Sequence, residues 1–242
     1  MFFLPIRDHN PSGRVPYVTY VLIAANVLIF VVMLALDQRA TGALYWTFGL
    51  VPAYAAVDTA VTSMFLHGGF LHLAGNMLFL WIYGDNMEDE MGHGWFAMFY
   101  LACGVAAGFA HVASAPGSDV PLIGASGAIG GVMGAYLLLY PKARVDVLFV
   151  LLVFFRIFPI PAWIVLAFWF ATQILSGAAT PADGPGVAYW AHVGGFVTGI
   201  AMAIPVFLRR GGPSYWQRTH GHPPHPEAVY RRSSIPAVRR KR

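Results

Sequence analysis

The sequence predicts an all-α fold, a polytopic membrane protein built as a bundle of six transmembrane helices. Of the 242 residues, 57% are hydrophobic and only 11% are charged, whereas soluble domains carry about a quarter charged residues. Long apolar stretches also recur along the chain, and a bilayer core about 30 Å thick needs roughly 20 apolar residues per helix. Lipid is therefore the expected solvent, and little length remains for a soluble domain.

Glycine and proline residues separate the apolar stretches and mark the joints between them. Backbone groups cannot stay unpaired in lipid, so each stretch is predicted to be a helix. In chain order the six predicted spans are about Tyr17–Leu36, Phe65–Tyr83, Trp95–Ala113, Ser126–Tyr140, Ile160–Leu175 and Tyr189–Leu208.

The basic residues predict the orientation of these spans, because cytoplasmic loops carry an excess of Lys and Arg. With the N-terminus in the cytoplasm, only Arg39 of the fifteen Lys and Arg residues falls outside. We therefore expect an integral multi-pass protein of a bacterial cell (inner) membrane, with both termini in the cytoplasm.

The predicted organisation has three parts. Residues 1–16 form a cytoplasmic N-terminal segment, and no small-residue cleavage site follows the first apolar run, so the first span is expected to be retained. Residues 17–208 form the six-helix transmembrane domain. Residues 209–242 are predicted to be a disordered basic tail, because the segment is polar and rich in proline. The tail either holds anionic lipid head groups or is a solvated topogenic segment.

The segment Val145–Ile160 is apolar but is not counted as a span. Asp146 and Arg156 enclose only nine uncharged residues, which cover about 14 Å as a helix, half of a bilayer. We predict a cytoplasmic-side interfacial or re-entrant segment.

The composition also excludes several functions. Cys103 is the only cysteine, so neither an intrachain disulfide nor a thiolate metal cluster is possible. The sequence pI is near 9.3, but the basic residues are few and lie between apolar segments. A role in orienting the protein in the membrane therefore explains them better than binding of nucleic acid does.

The string Gly124-Ala125-Ser126-Gly127 stands where a loop becomes a buried helix, and it carries a hydroxyl into the membrane. A serine among glycines is common wherever helices pack closely. Taken alone, the string therefore fits helix packing better than it fits a nucleophile.

Two further strings carry histidine. The string Ala191-His192-Val193-Gly194-Gly195 opens the last span. An ionisable side chain inside a span indicates function, unless its polar atoms are simply hydrogen-bonded in a polar crevice. In the string His67 to Asn76, His72 and Asn76 are four residues apart and share one helix face. No third ligand lies at suitable spacing from His67 and His72, so a metal site is not predicted.

Topology links these strings. The second, fourth and sixth predicted helices all run from outside to inside, and His72, Ser126 and His192 each lie in the first two turns of one of them. The three side chains therefore share one depth, a few ångströms below the outer surface. Treating Val147–Phe155 as a span would invert the last helix and destroy this agreement.

The shared depth predicts a catalytic dyad. A serine hydroxyl is a poor nucleophile until a neighbouring base takes its proton. Ser126 is then the nucleophile and His192 the general base and later the general acid. No Asp or Glu lies at this depth in the three helices, so a third member is not expected. The oxyanion donors would be the backbone N–H of Ser126, at a helix N-terminus, and the side chains of His72 and Asn76.

Glycine spacing predicts how the dyad can close. Ser126 and His192 each head a stripe of small residues at intervals of three or four, and such stripes let helix backbones approach closely. The glycines expected to pack around the site are Gly124, Gly127, Gly130, Gly195 and Gly199.

Two more strings flank the segment His67 to Asn76: Thr62-Ser63-Met64 lies before it, and the acidic Met87-Glu88-Asp89-Glu90 lies after it. In their order and spacing, all these strings together resemble the rhomboid family, over roughly Pro16 to Leu208. The resemblance implies an intramembrane serine endopeptidase with a Ser126–His192 dyad, assisted by His72 and Asn76, and no cofactor or metal. It also implies access for water from the outer face and a mobile fifth helix or cap loop as the gate. Substrates would be single-span transmembrane proteins that unwind near the outer surface.

The chain departs from the family pattern at two places. Many members have a Trp-Arg pair in the first outer loop, where this chain has Asp58-Thr59-Ala60-Val61. Many also have an aromatic residue one turn after the nucleophile, stacked on the catalytic histidine, where this chain has Gly130.

Two other functional classes remain open on the residues alone. A polytopic transporter or proton channel would use His72, Asn76 and His192 to line a polar path. An inactive relative would bind transmembrane clients without cutting them.

Overall fold

The computed structural model describes residues 2–151, 154–181 and 186–230. These residues form a mainly helical bundle with one small sheet and two 3-10 turns, Pro52–Tyr54 and Ser63–Phe65. The helices are α1 Tyr17–Met33, α2 Gln38–Phe48, α3 Val57–Thr62, α4 Phe70–Met91, α5 His93–Ser114, α6 Ser126–Leu139, α7 Ala162–Ala179, α8 Tyr189–Arg209 and α9 Pro213–Thr219. The strands are β1 Phe2–Asp8, β2 Arg144–Leu151 and β3 Phe154–Pro161.

The helical membrane bundle predicted from the apolar stretches is confirmed, with α1 and α4–α8 at the six predicted places. Helices α5, α7 and α8 are each long and apolar enough to cross a bilayer. Helix α4 joins them when it is taken with the preceding Val57–Phe65, against which it is bent by 98°. Helices α1 and α6 are shorter and apolar.

Helix α6 lies at the centre of the bundle. Every residue from Gly127 to Tyr136 is buried. The helix has 14 residues, so it extends about 21 Å and is shorter than a bilayer core. Because protein surrounds it, the non-helical backbone that precedes it is tolerated at membrane depth. Ser126 therefore begins a helix inside the bundle.

The backbones of α6 and α8 touch each other through glycines. A Cβ atom added to Gly195 would collide with the carbonyl oxygen of Gly127, and one added to Gly199 would collide with that of Gly131. On α6, a Cβ at Gly134 would meet the carbonyl of Phe196. Only glycine allows this approach, which is the geometry of small-residue crossings in membranes.

Helix α7 is peripheral, and half of its residues are exposed. Phe168 and Leu175 are 66% and 69% exposed, as suits a helix that contacts lipid. Its buried residues are Ala162, Leu166, Gln173 and Gly177.

The segment predicted as interfacial or re-entrant forms two paired β-strands, which add a small sheet to the predicted helical bundle. Strands β2 and β3 pair antiparallel, and β1 pairs antiparallel with β2 to give the order β1-β2-β3. The segment is rich in Val, Phe and Leu, which favour strands, and pairing satisfies its backbone without a span. Strand β1 is an edge, where Pro5 is tolerated beside a register shift.

The sheet packs at the end of the bundle opposite Ser126. The hydroxyl of Tyr136, late in α6, donates to Asp8 at 2.7 Å. On β2, Asp146 accepts from Arg7 and contacts His9. Burial opposes ionisation of Asp146, but these hydrogen bonds hold the pKa of its carboxyl below the usual value.

The prediction of a disordered tail from residue 209 is wrong for its first part. Helix α9 packs on the bundle through Tyr215, which is 4% exposed, and Trp216 donates its indole N–H to the carbonyl of Leu138 at 3.0 Å. Further on, the Tyr230 hydroxyl donates to the carbonyl of Asp8. Spaced aromatic residues anchor a segment that is otherwise polar. Residues 231–242 lie outside the described residues.

Helix α4 runs past its predicted end at Tyr83 because its acidic end holds another helix. Glu88 is 1% exposed, and its carboxylate accepts the backbone N–H groups of Val18 and Thr19 and the Thr19 hydroxyl, each at 2.8 Å. These N–H groups belong to the first turn of α1, where the helix offers no partner and its dipole favours negative charge. Glu88 therefore caps α1.

Replacement of Gly199 by alanine is expected to lower the thermal stability of the detergent-solubilised protein. The added methyl group meets the backbone of Gly131, and overpacking of this kind costs about 1–3 kcal/mol. Gly42→Ala is the matched control, because a Cβ there meets nothing within 4 Å, and it should melt at or slightly above the wild-type temperature. Equal melting of the two variants would contradict direct contact of α6 with α8.

Replacement of Glu88 by alanine is expected to destabilise the fold by about 3 kcal/mol, since it leaves buried backbone donors without a partner. Asp89→Ala provides the comparison, because Asp89 is more exposed and should matter less. Thermal unfolding of both variants measures the difference, and a larger loss for Asp89→Ala would contradict the capping role.

Candidate active site

Ser126 and His192 are in hydrogen-bond contact. Ser126 is the first residue of α6, and His192 lies in the first turn of α8. The Ser126 Oγ atom is 2.7 Å from Nε2 of His192, and both side chains are partly buried. The sequence places these residues at one depth, and the structure brings them together.

The other nitrogen of the His192 ring contacts a residue that sequence reasoning missed. Nδ1 lies 2.7 Å from Oε1 of Gln173 on α7. The expectation of a third member was confined to Asp and Glu on the second, fourth and sixth predicted helices, and Gln173 is an amide on the fifth. An amide in the middle of an otherwise apolar span was the available signal, because polar groups inside spans are costly.

An aromatic ring also lies against His192, and it comes from α7. The ring centroids of Trp169 and His192 are 5.7 Å apart, with an interplanar angle of 32°. A Cβ added to Gly130 would lie 3.7 Å from the Trp169 ring. Trp169 on α7 therefore lies beside the His192 ring, next to the space that Gly130 leaves open on α6.

His72 and Asn76 both reach the backbone just before the serine. A Cβ built at Gly124 would lie 2.7 Å from Nε2 of His72 and 3.7 Å from Nδ2 of Asn76. Gly124 has a φ of +122°, which side-chain-bearing residues rarely adopt. This glycine therefore allows both the turn into α6 and the approach of His72.

Asn76 is held by His67. The Asn76 amide nitrogen lies 2.9 Å from Nε2 of His67, which is 1% exposed. Because an amide nitrogen only donates, the ring nitrogen accepts. The amide has a second N–H, and Asn76 lines the cavity described next.

One cavity joins these groups. It has a volume of about 590 Å³, and its walls include Ser126, His192, His72, Asn76 and Trp169. Within the described part of the chain, no group of three or more His, Cys, Asp or Glu side chains is arranged to hold a metal ion.

The segment between α2 and α4, which lacks the Trp-Arg pair, is tied to the loop before α6. Leu50 and Leu122 exchange backbone hydrogen bonds of 3.0 and 2.9 Å, and the N–H of Gly124 donates to the carbonyl of Ser63 at 2.9 Å. Thr62 donates its hydroxyl to the carbonyl of Phe48. Backbone pairing with the segment between α2 and α4 therefore fixes the approach to Ser126.

The fold and site together define a multi-pass helical membrane protein that holds a hydrogen-bonded serine–histidine pair inside its bundle. A family profile described as the Rhomboid domain matches residues 54–209. The chain therefore belongs to the rhomboid family.

Individual relatives agree with this assignment. The chain is 31% identical to the rhomboid protease GluP of Bacillus subtilis over 207 residues, 81% of this chain and 36% of the relative. It is 32% identical to the human mitochondrial presenilin-associated rhomboid-like protein over 131 residues, 53% of this chain and 34% of that protein. The rhomboid protease GlpG of Enterobacter is 28% identical over 84% of this chain and 66% of its own length. The match thus spans about a third of the length of the first two relatives.

Proposed function

We propose that this protein is an intramembrane serine endopeptidase that hydrolyses peptide bonds of transmembrane proteins with a Ser126–His192 dyad. The observation that carries the proposal is the 2.7 Å contact between Ser126 Oγ and His192 Nε2 in a cavity inside a membrane bundle. The names of the relatives GluP and GlpG, both rhomboid proteases, support the same reaction.

The dyad acts by acyl transfer. Nε2 of His192 takes the proton of the Ser126 hydroxyl as Oγ attacks the carbonyl carbon of the scissile bond. The C–N bond then breaks, and the proton on Nε2 passes to the leaving amine. A water molecule, activated by the same nitrogen, hydrolyses the ester and restores the serine.

The oxyanion is stabilised by donors around the start of α6. The N–H of Ser126 is in the first turn of a helix, where amides lack an intrahelical partner and the dipole favours negative charge. The second N–H of Asn76 and the ring of His72 supply the side-chain contribution. His67 keeps Asn76 in place, so the donor is preorganised as such stabilisation requires.

The side from which water enters the cavity and the orientation of the protein in the membrane both follow from the direction of the helices. Ser126, His192 and His72 all lie near the starts of parallel-running helices, and the sheet and α9 lie at the other end. The basic residues favour this sheet-bearing end as the cytoplasmic one, in a bacterial inner membrane. Substrates are single-span proteins cut near the outer face, where water enters the cavity.

Replacement of Ser126 by alanine is expected to abolish cleavage of a panel of single-span substrates while the melting temperature stays at the wild-type value, because only the nucleophile is lost. A fluorophosphonate should label the wild-type protein at Ser126 alone. Ser214→Ala, at a serine of α9, is the control and should retain both cleavage and labelling. Labelling that persists in Ser126→Ala would rule out this nucleophile.

Replacement of Asn76 by alanine is expected to lower kcat by about 100-fold with KM little changed, since one oxyanion donor contributes roughly 3 kcal/mol to the transition state alone. Steady-state kinetics on one cleavable substrate measures the two constants. A rise in KM with kcat unchanged would show that Asn76 binds substrate rather than the oxyanion.

A further inference from the structure

The His192 ring is held at both of its nitrogens. Nε2 contacts Ser126 Oγ, and Nδ1 contacts Gln173 Oε1, each at 2.7 Å. Gln173 is 8% exposed and comes from the peripheral helix α7. A continuous line of hydrogen bonds thus runs from the serine through the imidazole to an uncharged amide.

Contacts within α7 fix which way the Gln173 amide points. Its Nε2 atom donates to the carbonyl oxygen of Trp169 and to Thr172 Oγ1, both at 3.2 Å. The Thr172 hydroxyl donates its own proton to the Trp169 carbonyl at 2.6 Å, so its lone pairs are available to the amide. A flipped amide would set two acceptor oxygens against each other, and Oε1 therefore faces His192.

The orientation of the amide determines the tautomer of His192. A carbonyl oxygen only accepts, so Nδ1 must carry the proton. In the neutral ring the lone pair then lies on Nε2, directed at the Ser126 hydroxyl. The other tautomer would present an N–H to Ser126 and could not take its proton.

We propose that Gln173 is a positioning residue that selects the base-competent tautomer of His192, the task a carboxylate performs in a serine–histidine–aspartate triad. The proposal rests on the proposed protease function. A neutral amide performs this task without adding a net charge to the span, where ionised groups are costly. As the ring becomes an imidazolium, the same hydrogen bond becomes charge-assisted and strengthens.

Helix α7 fixes the plane of the ring as well as its tautomer. Trp169 and Gln173 are four residues apart and so lie on one face of the helix. Trp169 lies against the ring of His192, and Gln173 accepts a hydrogen bond from Nδ1 at the edge of that ring. The position of α7 therefore sets the geometry of a dyad whose two members lie on other helices.

The first test compares Gln173→Leu with Gln173→Glu in the full chain. Leucine cannot accept from Nδ1, so kcat should fall about 10- to 100-fold, as when a metal-binding histidine loses its hydrogen-bond partner, with KM unchanged. Glutamate accepts the same proton and should restore most of kcat. Cleavage kinetics and thermal unfolding are measured for each variant. Wild-type kcat in Gln173→Leu would overturn the proposal, as would loss of activity in both variants with equal loss of stability.

The second test reads the tautomer without any substrate. Nitrogen-15 NMR of histidine-labelled protein, with His192→Ala to assign the ring, should show the proton on Nδ1 in the wild type and a mixture of tautomers in Gln173→Leu. An Nε2-protonated wild-type ring would contradict the proposal. Absence of cleavage and phosphonate labelling in a wild type with the expected spectrum would instead remove the protease function and leave the tautomer assignment intact.

Discussion

The direct contact between the backbones of α6 and α8 is the constraint on which the rest of the structure depends. Lipid offers no hydrophobic drive for two apolar helices to associate, so their association comes from close packing. Gly195 and Gly199 supply that packing against the carbonyls of Gly127 and Gly131. A serine and a histidine at the starts of the two helices then meet without any charged residue to draw them together.

The site gathers its remaining parts around this contact. The loop before α6 is tied to the segment between α2 and α3 by backbone pairing at Leu50 and Leu122, which brings Gly124 against His72. At the other end, Glu88 caps α1 and the sheet closes on Tyr136. Polar interactions are thus concentrated at the two ends of the bundle, where they orient helices whose middles are held by packing.

The sequence predicted those features that depend on helix length and direction. Apolar runs gave the spans, and the alternation of helix direction placed Ser126 and His192 at one depth. The contact of Gln173 with His192 was not predictable in the same way, because which face of α7 meets α8 is a tertiary choice that no spacing along the chain records. The strand pairing of β1 with β2 and the docking of Tyr215 were missed for the same reason, since each joins segments that are distant in sequence.

The most direct test of the central claim measures whether the side chains at positions 126 and 192 are in contact. In a Cys103→Ala background, Ser126→Cys places a thiol at the start of α6, and its rate of alkylation by iodoacetamide is followed against pH. A neighbouring imidazole should make the thiol reactive well below the ordinary cysteine pKa of about 8.5, and His192→Ala should abolish that reactivity. Identical pH profiles with and without His192 would contradict the contact, and with it the account of the site.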